Sequence, residues 1–369
     1  YARYQIQKMA SEFLRGSKFP DSVRIALKDI ERCVPRDEGS AIPGLNHAEG
    51  NAERIADEYI FMYRVGRPLQ VKFSAIQELQ LQEIMIDFFG NDNYAGKIKT
   101  QAFLLLFSCK GSATHYKVEL LCKLVSMAIA LKTKPILDYA GAWMRQHYSS
   151  PGCMKLAQHV IHDYCLLVPG ATSSLQELPK ISTPFTCNII TAFTHVYRLQ
   201  ASLPNGLLEV ITEWVSIDNS LLLYSALNAY GSNIETPLPG LISWCIYAPI
   251  QLLQKQPKIE VEELRRINQL YSKLFLGLLN SLLSTKTLFN PPKELLPRAI
   301  VKDIVDTIVT SAKLLPDAGE HDCLQVVLER LGQVLQVAMV TKTIFTDKED
   351  YTFNIAFTLY FRLLQIVLN

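Results

Sequence analysis

The stretch Leu264-Arg265-Arg266-Ile267-Asn268-Gln269-Leu270-Tyr271-Ser272-Lys273-Leu274-Phe275-Leu276-Gly277-Leu278-Leu279-Asn280-Ser281-Leu282 decides the fold class. Leu264, Ile267, Tyr271, Leu274, Leu278 and Leu282 recur at alternating steps of three and four residues. That spacing puts them on one face of an α-helix. Leu324, Leu328, Leu331, Leu335 and Ala338 repeat the pattern. Ile300, Val301, Ile304, Val305, Ile308, Val309 and Ala312 form a wider stripe of the same kind. Phe103-Leu104-Leu105-Leu106-Phe107 is the best strand candidate, but no alternating run lies near it, so it reads as buried helix. No Asn-Gly turn joins two alternating runs, and Asn205-Gly206 stands where a helix begins. The expected class is all-α.

Helix boundaries are marked at intervals too short for a long coiled coil. Pro135, Pro151, Pro184 and Pro297 each precede an apolar-periodic run, where the missing N–H of proline costs nothing. Ser150 and Thr183 are expected N-caps. Ser74 with Gln77, and Thr346 with Glu349, have capping-box spacing. Pro169-Gly170 ends the helix that begins near Pro151. Expected loops are Pro35–Glu53, Gly90–Gly96, Ala171–Pro184, Gly231–Pro239, Gln254–Ile259 and Leu315–Asp322. Helix starts near residues 100, 118, 135, 151 and 184 give pairs of about HEAT length, ~40–47 residues. The expected architecture is an irregular α-solenoid of HEAT-like helical pairs with little or no β-sheet. Residues 1–65 form an N-terminal helical cap with a flexible loop, and residues 66–369 form the helical-repeat domain.

A chain of 369 residues with 49% hydrophobic content exceeds one ordinary core. With only 20% charged residues and a mean hydropathy of +0.12, helices buried on two sides or a large partner surface are needed to absorb the apolar excess. The net charge of +2 gives no strong field for nucleic acid or an anionic membrane. Lys110, Lys117, Lys123, Lys132 and Lys134 make a local basic run, read as a solvated helix face. The cysteines, Cys33, Cys109, Cys122, Cys153, Cys165, Cys187, Cys245 and Cys323, are scattered, mostly among apolar residues. With no Asn-x-Ser/Thr acceptor, this favours a reducing compartment. No uncharged apolar run reaches the ~20 residues of a spanning helix. Tyr351–Asn369 comes nearest and is interrupted by Arg362.

Candidate chemistry is thin. Cys153, His159, His162 and Cys165 are the densest set of possible metal ligands. His159, His162 and Cys165 lie on one expected helix, which does not wrap a tetrahedral zinc. Cys165 with His162, or Cys109 with His115, lacks the orienting group and oxyanion hole of a thiol hydrolase. Glu78 with Glu83, and Glu262 with Glu263, read as solubilising charge. No phosphate loop, dinucleotide fingerprint, His-Glu-x-x-His, RNP-like motif or zinc-finger spacing occurs. No catalytic residue, cofactor or metal is expected. Trp143, Trp214 and Trp244 sit among aliphatics at helical spacing and read as core, with partner anchors as the alternative.

Six phrases occur in order: Ile76-Gln77-Glu78-Leu79-Gln80-Leu81-Gln82-Glu83-Ile84-Met85, Leu124-Val125-Ser126-Met127-Ala128, Asp163-Tyr164-Cys165-Leu166-Leu167-Val168-Pro169-Gly170, Gly240-Leu241-Ile242-Ser243-Trp244-Cys245, Leu270-Tyr271-Ser272-Lys273-Leu274 and Leu335-Gln336-Val337-Ala338-Met339. Together they resemble the family of Integrator complex subunit fifteen, from about Ala48 to about Thr343, and Asp57-Glu58-Tyr59-Ile60-Phe61 is similar to it as well. The Pro/His-rich C-terminal tail of vertebrate members is missing, which points to an invertebrate member. The resemblance implies a non-catalytic subunit of a nuclear assembly acting on RNA polymerase II transcripts, in transcription attenuation and small nuclear RNA 3′-end processing. It implies partners among the other Integrator subunits: the arm module of subunits ten, thirteen and fourteen, and the core.

The leading expectation is therefore a scaffold or adaptor whose partner-binding residues are Asp163, Tyr164, Trp244, Tyr271 and Lys273, in or beside these phrases. The alternative is a helical-repeat nucleic-acid-binding protein using Lys110–Lys134 as a basic stripe. Direct RNA or DNA binding and membrane association are not expected. A third reading, a cysteine hydrolase, turns on whether Cys165 is unusually reactive.

Overall fold

The computed structural model describes residues 14, 16–34, 45–61, 63–64, 67–68, 73–91, 96–109, 114–148, 150–167, 170–196, 206–217, 221, 237–255, 259–286, 306, 321–340 and 360–361. These residues are overwhelmingly helical. Their one ladder pairs β1 (Tyr63–Arg64) with β2 (Arg67–Pro68), antiparallel, Tyr63 opposite Pro68. The all-α reading holds, including Phe103–Leu106, which is helix. The stripe at 300–312 (apart from Asp306), the Thr346–Glu349 cap and Pro297 lie outside the described residues.

The chain divides into two compact units, residues 1–160 and 161–369. The first contains α1 (Asp21–Cys33), α2 (Leu45–Tyr59), α3 (Ala75–Gly90), α4 (Gly96–Leu106), α5 (Thr114–Ala130) and α6 (Lys134–Gln146), and the division falls at the end of α7 (Pro151–Ile161). Helices two places apart pack together: α1 on α3 and α3 on α5 make one row, and α2 on α4 and α4 on α6 the other. The rows are tied by α1 on α2 and α4, and by α6 on α3 and α5. Phe89 of α3, Phe103 of α4 and Tyr139 of α6 form an aromatic cluster, with ring centroids 5.2 to 6.1 Å apart. The helices of the expected cap, α1 and α2, pack directly on this unit. Helix α2 starts at Leu45, so the loop expected over 35–53 ends sooner.

The second unit begins with a π-helical segment, His162–Leu167. Two short helices follow where a loop was expected, α8 (Ser173–Gln176) and α9 (Leu178–Ile181). Then come α10 (Thr183–Val196), α11 (Leu207–Ile217), α12 (Pro237–Lys255), α13 (Val261–Lys286) and α14 (His321–Val340). Helix α12 packs on α10, α11 on α13, and α12, α13 and α14 pack mutually. Two crossings are set by glycine. A Cβ on Gly240 would lie 2.3 Å from Thr194 Oγ1, and one on Gly277 would lie 2.7 Å from Val215 Cγ1. Neither helix could approach so closely with a larger residue there.

Local signals read from sequence mostly appear as geometry. Ser74 Oγ accepts from the Gln77 N–H at 3.3 Å, and Gln77 Oε1 accepts from the Ser74 N–H at 3.0 Å. Ser150 Oγ accepts from the Cys153 N–H at 3.2 Å. At α10 the cap is Ser182, whose hydroxyl accepts from the Phe185 N–H. Thr183, the expected cap, instead donates to the Pro179 carbonyl. Gly170 and Gly206 have φ of +82° and +80°, a backbone that L side chains rarely adopt.

Two stability predictions follow from this packing. Gly277→Ala drives a methyl into buried Val215 and is expected to cost about 1–3 kcal/mol. Gly50→Ala, in α2 with nothing within 4 Å of the new Cβ, is expected to gain about 0.5–1 kcal/mol. Chemical denaturation measures both, and equal effects would show that the α11–α13 crossing is not tight. The second concerns Asp29, whose carboxyl is raised above the usual range by burial, partly opposed by Arg32 at 2.8 Å, while its Oδ2 has no partner. A raised folded-state pKa contributes stability that is fully present below the unfolded value and lost as pH rises through the folded one. Replacing Asp29 by Asn should shift the melting-temperature difference in the variant's favour between pH 4 and pH 7. A difference independent of pH would contradict this.

Candidate partner-binding surface

Three helices of the second unit meet around a buried cation. Arg330 of α14 is fully enclosed. Its guanidinium donates to Gln333 Oε1 at 2.8 Å, Ser272 Oγ at 2.8 Å, the Asn268 carbonyl at 3.2 Å and the Cys245 carbonyl at 3.5 Å. It also donates to Asn268 Oδ1. Asn268 Nδ2 in turn donates to Glu329 at 2.6 Å, and the Ser272 hydroxyl donates to the same carboxylate. Burial lowers the Arg330 pKa and Glu329 opposes that shift. This network fastens α12, α13 and α14 to one another.

The expected contact residues of these helices divide by burial. Trp244 and Tyr271 are each only 2% exposed, so they pack the interior of the unit and do not present a face to solvent. Burial also drives the Tyr271 phenol well above its ordinary pKa. Lys273 is exposed on the opposite side of α13, on a stripe with Arg265, Arg266, Gln269 and Leu276. Arg266 bridges Glu263 of its own helix and Glu209 of α11, at 2.8 and 2.7 Å.

The π-helical segment carries the other two. Its i→i+5 pitch changes the phase of the helix at His162, so the straight run through His159, His162 and Cys165 expected from sequence does not exist. Tyr164 turns inward and is 7% exposed. Asp163 stays half-buried, 3.1 Å from His162 Nδ1. Leu166 and Leu167 turn outward, 59% and 61% exposed.

In the first unit Leu131 and Tyr116 are exposed, and two further outward apolar groups share one helix, α3. Leu81, Ile84, Met85 and Phe89 are buried, whereas Ile76 and Leu79 are 72% and 58% exposed. Sequence reading missed these two, although the signal was present. At 100° per residue Ile76 and Leu79 fall on the side opposite Met85, so one helix has apolar residues on two faces.

The outward apolar residues of α3 and of the π-helical segment therefore lie inside the phrases that carried the family resemblance. A comparison over the whole chain decides that resemblance: the profile of Integrator complex subunit 15 matches residues 8–356. The chain belongs to the Integrator complex subunit 15 family. The Integrator complex subunit 15 of Danio rerio is 32% identical over 344 residues, 87% of this chain and 72% of that protein. That of Mus musculus is 32% identical over 352 residues, 87% of this chain and 78% of its own length. The Drosophila melanogaster protein is 25% identical over 314 residues, 79% of this chain and 80% of its own length. In this Integrator subunit 15 family member, five of the six phrases lie in helices α3, α5, α12, α13 and α14, and Asp163–Leu167 of the sixth lies in the π-helical segment.

The remaining candidates are placed as follows. Lys117 is fully buried, against the expectation of a solvated face, because Asp57 Oδ1 at 3.0 Å and Glu53 Oε1 at 3.5 Å receive it. The ring of Phe61 lies 5.7 Å from its ammonium. Lys123 pairs with Glu78 and Glu119, and Lys134 with Asp138. Lys132 is exposed at a positive φ of 54°, and Lys110 lies outside the described residues. Burial pushes the Cys165 thiol up to about 11 and that of Cys153 to about 12, and raises Cys109. At pH 7 Cys165 would be roughly one part in 10⁴ thiolate, a poor nucleophile. Among the described residues no group of three His, Cys, Asp or Glu is arranged to hold a metal ion. No described helix is long and apolar enough to cross a membrane.

The three tryptophans are buried, but only two are hydrogen-bonded. Trp143 Nε1 donates to the Phe107 carbonyl at 2.8 Å and Trp214 Nε1 to the Leu175 carbonyl at 3.0 Å, whereas Trp244 Nε1 has no partner. Trp143→Phe strands a buried carbonyl and Trp244→Phe removes an unpaired donor. Denaturation should therefore find Trp143→Phe more destabilising by about 1–3 kcal/mol. Equal losses would mean that the Phe107 carbonyl finds another donor.

Proposed function

We propose that this chain is a non-catalytic scaffold subunit of Integrator, in the nucleus, binding the arm module of subunits ten, thirteen and fourteen and linking it to the core. In this reading it serves transcription attenuation and small nuclear RNA 3′-end processing without contributing a reactive group. The observation that carries the proposal is the combination of family membership with a helical body whose polar clusters are consumed in packing while large apolar side chains point outward. Arg330 and Lys117 are enclosed by their own partners. Ile76, Leu79, Leu166, Leu167 and Leu276 are exposed. The neighbouring pairs Ile76 with Leu79 and Leu166 with Leu167 support protein contacts, since apolar groups exposed together favour association. We also read the helices as an irregular α-solenoid, with residues 1–65 as a cap on the array of 66–369. Of the expected contact residues, Lys273, exposed on α13, and the half-buried Asp163 would touch a partner directly in this reading. Trp244, Tyr271 and Tyr164 would act on binding through the packing beneath.

The nucleic-acid reading loses support because Lys117, Lys123 and Lys134 are each matched by carboxylates. A basic stripe that neutralises itself releases few counterions from a phosphate backbone.

Capture of the tagged full chain with nuclear extract, followed by quantitative mass spectrometry, tests the proposal. Subunits ten, thirteen and fourteen should be retained in near-equal amounts, with no change on nuclease treatment. Retention of none of them, or retention abolished by nuclease, would overturn it.

A further inference from the structure

The inward side of α3 is fully occupied. Leu81, Gln82, Ile84, Met85 and Phe89 are buried, and the helix packs on α1, α5 and α6. Its outward stripe is Ile76, Leu79, Gln80, Glu83 and Asp87, all exposed. This stripe has two chemically distinct halves. Toward the N-terminus, Ile76 and Leu79 stand one helical turn apart at 72% and 58% exposure, the two presenting a paired apolar surface.

Toward the C-terminus the stripe is negative. Glu78, off the stripe, is paired with Lys123, but Glu83 and Asp87 make no ion pair among the described residues. The last turn of α3 itself holds no basic residue, and the Lys99 ammonium of α4 caps its end, donating to the Phe88 and Asn91 carbonyls at 2.6 and 2.9 Å. Neither Glu83 nor Asp87 is paired with it, so both carboxylates stay open to a cation from outside. The two halves are centred about 11 Å apart along the axis, from a rise of 1.5 Å per residue.

We propose that the outer face of α3 is a docking site for a cationic amphipathic helix of a protein partner. The partner helix places two apolar residues, three or four apart in sequence, against Ile76 and Leu79. Its Lys or Arg residues, about two turns away, face Glu83 and Asp87. The carboxylates speak against a nucleic-acid occupant, whose phosphates they would repel. This proposal rests on the reading of the chain as a subunit of a larger assembly.

The test uses the full chain in nuclear extract, with the photoreactive residue p-benzoylphenylalanine in place of Gln80, at the middle of the stripe. The crosslinked peptide should come from a helical segment with an apolar pair and Lys or Arg about two turns away. Two double variants accompany it, Ile76→Ser with Leu79→Ser, and Glu83→Lys with Asp87→Lys. Each should lower retention of the crosslinked partner about tenfold or more. Because all four side chains are exposed, melting temperatures should stay at the wild-type value. Full retention by either double variant overturns the proposal, as does a Gln80 crosslink to RNA, to an acidic segment or to nothing. If the unaltered chain retains no Integrator subunit, the assembly reading falls. The Gln80 crosslink then still decides the docking site.

Discussion

A cation inside a stack of helices is tolerated only if acceptors meet it there, and both units are organised around that constraint. In the first, Lys117 of α5 reaches Asp57 and Glu53 of α2. In the second, Arg330 of α14 is received by side chains and carbonyls of α12, α13 and α14. Breaking a buried charge network by removing one partner costs about 3–5 kcal/mol, because the other charge is left without compensation. The networks contribute register more than net stability: an apolar interface can slide by a turn, whereas a guanidinium with several placed acceptors cannot. In the first unit the Phe61 ring lies 5.7 Å from the Lys117 ammonium and packs edge-on to Phe107, with centroids 6.3 Å apart.

The same constraint accounts for several groups among the described residues that could titrate or attack and are instead taken up by packing. Burial holds Cys153, Cys165 and Cys245 protonated at neutral pH, and the lysines of the basic run mostly face carboxylates. What remains on the outside is a helical surface with a few large apolar side chains and unpaired acids. Such a surface is suited to contacts with other proteins.

The class of fold was legible from spacing alone, because the three- and four-residue steps from Leu264 to Leu282 admit only a helix. Caps were legible where a side chain met its partner within one turn, as at Ser74 and Gln77. At α10 the expected cap was Thr183, but its hydroxyl is engaged by the Pro179 carbonyl and the neighbouring Ser182 caps the helix instead. Inside and outside were less legible. Lys117 looked solvated until α2 supplied its carboxylates from 60 and 64 residues away. Trp244 and Tyr271 read as buried from their aliphatic neighbours and from the apolar stripe, and both are buried; a part in partner binding is not written in spacing, because aromatic residues serve cores and interfaces alike. The π-helical segment gave no local warning, and it alone turns Tyr164 inward and Leu166 and Leu167 outward.

The crossing at Gly277 also has a mechanical meaning. With hydrogen in place of a methyl group, the backbone of α13 rests almost directly on Val215 of α11. Only the Val215 side chain, β-branched and stiff at χ1, lies between the two, so the pair has little room to slide. Flexing of the second unit under load from a bound partner must then be taken up elsewhere, where longer side chains separate the helices and can slide.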